Sequence, residues 1–379
     1  MNRTLTVVQL LPALNSGGVE RGTLEIAQAL VEHGHQSWVI SAGGRLVAPL
    51  TAQGSRHIAL PLGVKSPLTL RHVPTLTRLL ARIQPDIVHV RSRLPAWITY
   101  LALQLLPKKQ RPLWVSTFHG RHSVNRYSKI MTHGDKVIAV SHWLKAHILE
   151  AYPDTPPERI EVIARGVDSG LYYPGFQPDA DWLKRWRGDC PALANKALLV
   201  MPGRLSKRKG IEDFIELVAR LRNLGKPVHG LIVGGADKPD YQTELKQCVL
   251  DLGLQNHLTF TGPRDDLREI ISQASAVLSL SKAPEAFGRT VTEALSLGVP
   301  VIAYAHGGVA EQLEKLYPNG QVEPGRLDQV EDRILALLDG ERVAIARNTV
   351  YTLARMQGQT LALYQHLVAS KHPTHRNHA

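Results

Sequence analysis

The chain has 379 residues, which at about 150 residues per domain accommodates two or three compact units, two being the working division. Apolar residues make up 44% and charged residues 21%, which excludes a disordered or fibrous chain, and the two cysteines, Cys190 and Cys248, are too isolated for a disulfide scaffold or a zinc finger. Lys and Arg number 45 against 33 Asp and Glu, a net charge of +12 that points to anionic partners.

Residues 5–11 form an apolar run of strand length, residues 12–18 supply turn chemistry, and residues 19–33 carry Leu24, Ala27 and Leu30 at helical spacing before Gly34 ends the helix. Arg3 followed by residues 7–14 resembles a short secretory signal, but the pattern runs on into that turn and helix, so the N-terminus is expected to belong to the mature fold. Further β-rich runs fall at residues 36–41, 86–90, 113–118 and 136–141, separated by helical patterns. Such alternation predicts a parallel sheet, because parallel strands need crossover connections. The most apolar stretch, residues 96–106, is far shorter than the roughly 20 residues a bilayer-crossing helix needs.

A Pro-, Gly- and Trp-containing stretch, residues 172–191, is expected to connect the two halves. Beyond it, strands are predicted at 197–201, 228–233, 258–261, 276–280 and 300–303, with helices at 211–224, 241–252, 290–297 and 327–338. The fold class is therefore α/β with two Rossmann-like domains. Residues 350–368 place Leu353, Met356, Leu361, Tyr364 and Leu367 on one helical face, and the His-rich tail from Lys371 is expected to fray. Charge is unequal: residues 1–171 hold 20 basic and 10 acidic side chains, a balance of +10, while residues 172–379 hold 25 and 23. The first half is thus the one suited to an anionic surface or substrate.

No G-x-G-x-x-G follows the first strand and no G-x-x-x-x-G-K-[ST] occurs, so dehydrogenase and P-loop readings lose their main support. Instead Ser16-Gly17-Gly18-Val19-Glu20 opens the first helix, where missing Cβ atoms let a ligand approach backbone N–H groups; a plain turn fits the same residues. Gly203-Arg204-Leu205-Ser206-Lys207-Arg208-Lys209-Gly210 lies between a strand and a helix, at the sheet edge where doubly wound folds bind ligands. Arg204 and Lys209 bracket that turn and suit one pair of phosphates, with Lys207 and Arg208 left to solvent. In the stretch from Pro284 to Pro300, Glu285 precedes a helix starting near Gly288, and Glu293 sits more than one turn inside it among apolar residues. Buried carboxylates require hydrogen bonds, and vicinal sugar hydroxyls supply them. The N–H groups of Gly288, Arg289 and Thr290, with Phe287 beside them, suit a phosphate.

Glu285 and Glu293 in this setting resemble the E-x7-E signature of retaining glycosyltransferases of family 4, which share the GT-B fold. The loop from Gly203 to Gly210 matches that family's phosphate-contacting Arg and Lys, and Gly17-Gly18-x-Glu20 its N-terminal loop. Residues 162–168, Val-Ile-Ala-Arg-Gly-Val-Asp, correspond to its V-I-P-N-G-V-D, with Ala164 and Arg165 in place of Pro-Asn, and Gly307-Gly308-x-x-Glu311 to its late G-G-x-x-E. The resemblance covers residues 5 to about 340.

The resemblance implies two Rossmann-like domains with parallel sheets facing a central cleft: residues 1–171 for the acceptor, residues 172–345 for the donor, and residues 346–379 as a helix packing back on the first domain with a frayed tail. It implies a retaining, hexosyltransferase-type reaction without a metal or cofactor, the nucleotide-diphospho-sugar being a substrate. Glu293 corresponds to the ribose-binding carboxylate, Glu285 to the one touching the donor sugar, Arg204 with Lys209 to the diphosphate clamp, and His119 to the family's His beside the donor sugar. Arg91, Arg93, Arg121 and Arg126 form a cluster similar to that of lipopolysaccharide core enzymes, whose acceptors are anionic glycolipids at the inner leaflet; solvated arginines fit the same pattern. The expected location is cytoplasmic, peripheral on the inner face of the membrane. A soluble family 4 enzyme acting on a small molecule is the main rival. A nucleic-acid-binding protein is a remoter one, since no helix-turn-helix or RNP-like signature is present.

Overall fold

In a computed structural model the described residues are 3–15, 17–189, 193, 195–236, 238–342 and 344–371. Ser16 of the Gly-Gly loop, Cys190 and the tail beyond Lys371 lie outside them. The chain divides into two compact units, Met1–Arg165 with Leu353–Ala379, and Gly166–Thr352.

The first unit carries β1 (Thr6–Leu10), β2 (Gln36–Ser41), β3 (Arg56–Ala59), β4 (Ile87–Val90), β5 (Leu113–Phe118), β6 (Lys136–Ala139) and β7 (Ile160–Val162). They form one sheet in the order β3-β2-β1-β4-β5-β6-β7 with parallel pairings throughout. β1 and β4 are buried on both faces, as expected of strands sandwiched between helices. The helix Leu353–Lys371, last in the chain, brings Met356, Leu361, Tyr364 and Leu367 into a core shared with Leu5, Val7, Ile26, Leu30, Ile87 and Val115. Each such side chain contributes about 1.5–3 kcal/mol on leaving water.

The second unit carries β8 (Ala197–Pro202), β9 (Val228–Val233), β10 (Leu258–Gly262), β11 (Ala276–Ser279), β12 (Val301–Tyr304) and β13 (Gln321–Val322), ordered β10-β9-β8-β11-β12-β13. The pairings are again parallel, Val200 facing Leu231 on one side and Val277 on the other. Phe214, Ile215, Val218 and Leu221 of the helix Ile211–Asn223 are fully buried. Both sheets thus repeat one doubly wound plan, which places ligand sites beyond the carboxyl ends of the strands.

Three differences from the sequence reading have physical causes. The short edge strands β3, β7 and β13 pair on one side only, so they lack the long apolar runs that mark central strands. The stretch 172–191, read as a connection, contains the helix Ala180–Asp189: Asp179 caps it by accepting from the Trp182 backbone N–H at 2.7 Å, and Trp182 and Trp186 stack with centroids 5.2 Å apart. The units also part at Arg165 and Thr352 rather than at residues 171 and 345, because the Val167 N–H donates to the Tyr351 carbonyl and Val167 pairs with Thr352. Among the described residues no helix is long and apolar enough to cross a membrane.

Candidate functional site

The sequence from β8 onward builds one side of a pocket in the second unit. After Pro202 the chain turns at Gly203 and makes a single 3₁₀ turn, Lys207–Lys209, before the helix Ile211–Asn223. Gly210, at φ +71°, lets this turn close onto the neighbouring strand end, since a Cβ there would stand 1.9 Å from the Leu280 carbonyl oxygen. Lys209 is thereby aimed at the loop after β11, where its Nζ donates to Glu285 Oε1 at 2.7 Å. Ser281 Oγ donates to the same oxygen. Burial alone would raise the Glu285 pKa, but Lys209, Ser281 and the charge of Arg208 outweigh it and hold the carboxyl below its ordinary range. Gly203, Arg204, Lys209, Ser281, Glu285 and Thr290 line this one pocket. Lys207 and Arg208 point to solvent, as the sequence reading assigned them.

Gly288 (φ +86°) caps the helix Arg289–Ser296 without any side-chain cap, so the first N–H groups of that helix open toward the end that carries Thr290. Behind it, Gln312 accepts from Thr292 Oγ1 at 2.5 Å and donates to the Phe287 carbonyl, fixing the loop from within. The Glu285 carbonyl accepts from the Gly308 N–H at 2.8 Å, which ties Gly307-Gly308 to the Glu285 loop. Glu293, 3% exposed, lies inside the helix with Arg289 Nε donating to its Oε1 at 3.2 Å. It does not line the pocket of Glu285, and Phe287 turns its ring against Tyr351 rather than into that pocket. Ser281 and Gln312 went unnoticed in the sequence; the spacing of Ser281 four residues ahead of Glu285 was the available signal for the first.

In the first unit, Gly17 (φ +136°) caps the helix Gly18–Glu32, and the Glu20 carboxylate returns close to it: a Cβ on Gly17 would stand 2.6 Å from Glu20 Oε2. An acidic group there complements the helix dipole. His119 follows β5, and its Nδ1 accepts from Arg165 Nη2. Around it stands a basic cluster: His89, bonded to Tyr364 and Thr117, and Arg91, whose Nε donates to Gln9 Oε1 at 2.9 Å. Burial, reinforced by Arg165 and Arg91, keeps the His119 pKa well below the usual histidine value.

Arg91, expected in a surface cluster, is 4% exposed and committed to Gln9. Arg111 likewise donates to the Leu106 and Gln104 carbonyls. Exposed cations of this unit include Lys65, Arg71, Lys108, Lys109, Arg121 and Arg126, which lie among exposed Val64, Leu68, Leu70, Leu105 and Val124.

A cavity of about 610 Å³ in the second unit lies at the other end of the strands, against Leu199, Ala276, Leu295 and Pro300. It shares no residue with the Lys209–Glu285 pocket. Among the described residues no three His, Cys, Asp or Glu side chains gather as a metal site.

Comparison with known proteins agrees with this division of the chain. Residues 184–352 match the family model described as Glycosyl transferases group 1, and residues 16–171 match Glycosyltransferase Family 4. The chain is 25% identical over 367 residues, 91% of its length and 92% of the relative's, to N-acetyl-alpha-D-glucosaminyl L-malate synthase of Bacillus anthracis. A glycosyltransferase from Rickettsia africae superposes with a TM-score of 0.84 at 29% identity, covering 96% of this chain and 99% of that one. WaaG, a glycosyltransferase involved in lipopolysaccharide biosynthesis, shares the fold with a TM-score of 0.70 at 18% identity, over 97% of this chain and 100% of its own. With each half matched to a glycosyltransferase model and nearly the whole chain superposing on a glycosyltransferase, the chain is a glycosyltransferase of the group 1 and family 4 type, built on the GT-B plan of two Rossmann-like units.

Proposed function

We propose that this chain moves a sugar from a nucleotide-diphospho-sugar to an anionic cell-envelope glycolipid, with the lipopolysaccharide core as the acceptor class, retaining the anomeric configuration and requiring no metal. The observation that carries the reading is the Lys209–Glu285 pair in a pocket that also holds Arg204 and Thr290. An ionised Glu285 accepts hydrogen bonds from hydroxyls of the donor sugar. Lys209 has three donors, so it serves Glu285 and a phosphate oxygen together. Arg204, Lys209 and the N-terminus of the helix Arg289–Ser296 neutralise the charge that grows on the leaving diphosphate, the part a metal plays elsewhere. Glu293, held by Arg289, is assigned to the ribose hydroxyls. Gly17 and Gly18 are assigned to the donor phosphates and His119 to the donor sugar.

The acceptor assignment is supported by the basic balance of residues 1–171 and by the exposed pairing of cations with Val64, Leu68, Leu70 and Leu105. Such a surface suits peripheral docking on anionic lipid at the inner face of the cytoplasmic membrane. A second reading, transfer to a small carboxylated molecule, is favoured by the Bacillus anthracis relative, an N-acetyl-alpha-D-glucosaminyl L-malate synthase. The two are separated by supplying UDP-, GDP- and ADP-sugars with either a purified lipopolysaccharide core fraction or a set of small hydroxy acids. Sugar transferred to the lipid fraction with an unchanged anomeric proton coupling supports the first reading, and transfer to the acids alone supports the second. No turnover with any donor rejects both.

A further inference from the structure

Arg165 occupies a position where the resembled motif carries Asn, and its placement is unusually constrained. It follows β7 and reaches across the carboxyl end of β6 to His119, which follows β5. On its other side the guanidinium lies against the helix Gly18–Glu32 where only glycine leaves room: a Cβ on Gly22 would stand 2.0 Å from Arg165 Nη1. Arg165 is 9% exposed. Gly22 and His119 are thus the two walls of a slot that fixes one guanidinium.

A guanidinium has five donors and no acceptor. The nitrogen facing it, His119 Nδ1, must present its lone pair, and a neutral imidazole with a lone pair on Nδ1 carries its proton on Nε2. Protonating Nδ1 would set N–H against N–H and cation against cation. The other titratable groups whose charge acts on His119 are Arg91, His89 and His122, and each opposes a second proton in the same direction as Arg165. His119 Nε2 is itself buried and has no hydrogen-bond partner among the described residues, so the ring holds a donor that none of them uses.

We infer that Arg165 is a positioning residue that fixes His119 as a neutral imidazole protonated on Nε2, so that His119 offers a single hydrogen-bond donor and serves neither as a base nor as a cation. Resting on the proposed function, this assigns the Nε2–H to an acceptor oxygen of the donor sugar. It also assigns Gly22 a role separate from Gly17 and Gly18: it makes space for the guanidinium and has no part in phosphate binding.

The test is nitrogen NMR on the full chain labelled at histidine, with the His119 signals identified by their loss in His119→Gln. The proposal expects an Nε2–H, Nδ1-unprotonated pattern that stays flat between about pH 8 and pH 5, where an ordinary histidine titrates. In Arg165→Gln, which keeps a donor but loses the charge, the tautomer should persist while the pKa rises. In Arg165→Met, which loses both, the two tautomers should mix and the pKa should rise as well. Protonation on Nδ1 in the unmodified protein, or ordinary titration there, overturns the inference whether or not either variant folds. Because this reading needs no sugar, it is distinguishable from a failure of the functional reading. If the tautomer is fixed as stated yet His119→Gln and His119→Asn transfer sugar equally well, the contact with the donor fails and the Arg165 lock stands. If the lock is real and the contact exists, His119→Gln, whose amide nitrogen can stand at the Nε2 position, should retain more turnover than His119→Asn.

Discussion

Lys209 Nζ stands 2.7 Å from Glu285 Oε1, joining residues 76 positions apart in the chain across a pocket that Arg204 also lines. The pair is partly buried on both sides, so removing Lys209 does two things at once. It takes away a cation facing the leaving group, and it releases Glu285 from the charge that holds its carboxyl low. Lys209→Ala should lower kcat by a factor of about 100 to 1,000, the usual cost of deleting a group that stabilises transition-state charge. The acid limb of its pH–rate profile should move to higher pH, since Glu285 then protonates more readily. Arg204→Ala should show the same loss of kcat without the shift of the acid limb, because the groups that hold the Glu285 carboxyl low are Lys209, Ser281 and Arg208. Equal profiles for the two variants would count against the pairing of Lys209 with Glu285 as the reason for the shift.

Glu293 is assigned to ribose hydroxyls, which change little between ground and transition state, so Glu293→Ala should raise KM for the donor more than it lowers kcat. The same substitution breaks the largely buried pair of Arg289 with Glu293 and should cost about 3–5 kcal/mol of folding stability. Glu293→Gln keeps a hydrogen-bond acceptor for Arg289 and should recover part of that stability without restoring donor affinity. Calorimetric melts and donor titrations on both variants measure the two effects separately.

The central architecture was legible because parallel strands buried on both faces form continuous apolar runs, as in Ala197–Pro202 and Val301–Tyr304. The placement of Lys209 and Glu285 beyond strand ends of one sheet was legible because fixed spacing around a strand end and a helix start encodes it locally, whereas Glu293 does not line their pocket. What local pattern could not reveal is pairing at a distance. Arg91 looked like a surface cation until Gln9, 82 residues earlier, was found against it, and the partner of His89 is Tyr364, 275 residues later. The contact of Arg165 with His119 spans 46 residues, and its only sequence trace is the departure from Pro-Asn at residues 164 and 165. The helix Ala180–Asp189 was missed although Trp182 and Trp186 stand four apart, because prolines and glycines on both sides outweighed that single turn of periodicity.

Stability should fall as the solution is acidified below neutrality. His89 and His119 are held well below the ordinary histidine pKa by burial first and neighbouring cations second, and His122 and His229 are pushed down to about 4. In the unfolded chain these groups take up protons below about pH 6.5, whereas in the folded chain they do not. Their contribution is therefore present above that pH and is lost as pH falls toward the folded values, with each histidine adding at most about 1.4 kcal/mol per pH unit. Melting temperatures measured across this range should decline steadily, and His229→Gln should flatten the decline if that variant keeps the hydrogen bond to Thr259.

Membrane docking should depend on charge at the residues that are exposed. Lys108, Lys109, Arg121 and Arg126 neutralised together should weaken co-sedimentation with anionic vesicles, each contributing about 1 kcal/mol. Added salt should weaken it in the same way. Replacing Leu68, 70% exposed, and Leu70 with serine should reduce binding further while leaving salt dependence in place. Arg91 and Arg111 are committed internally, so altering them should disturb folding more than docking. Equal affinity for zwitterionic and anionic vesicles would show that charge does not hold the protein there.

The most direct test of the central claim, that the second unit grips a nucleotide-diphospho-sugar through Arg204, Lys209 and Glu285, is a thermal-shift titration of the full chain with UDP, GDP and ADP, without added divalent metal, repeated on the Arg204→Ala/Lys209→Ala double variant. A ligand present at 100 times its Kd adds about 2.7 kcal/mol to stability. The account predicts that at least one of the three nucleotides stabilises the unmodified protein by about that amount, and that the double variant, folded as judged by its own melt, loses the response. Stabilisation by none of them, or an undiminished response in the double variant, would contradict it.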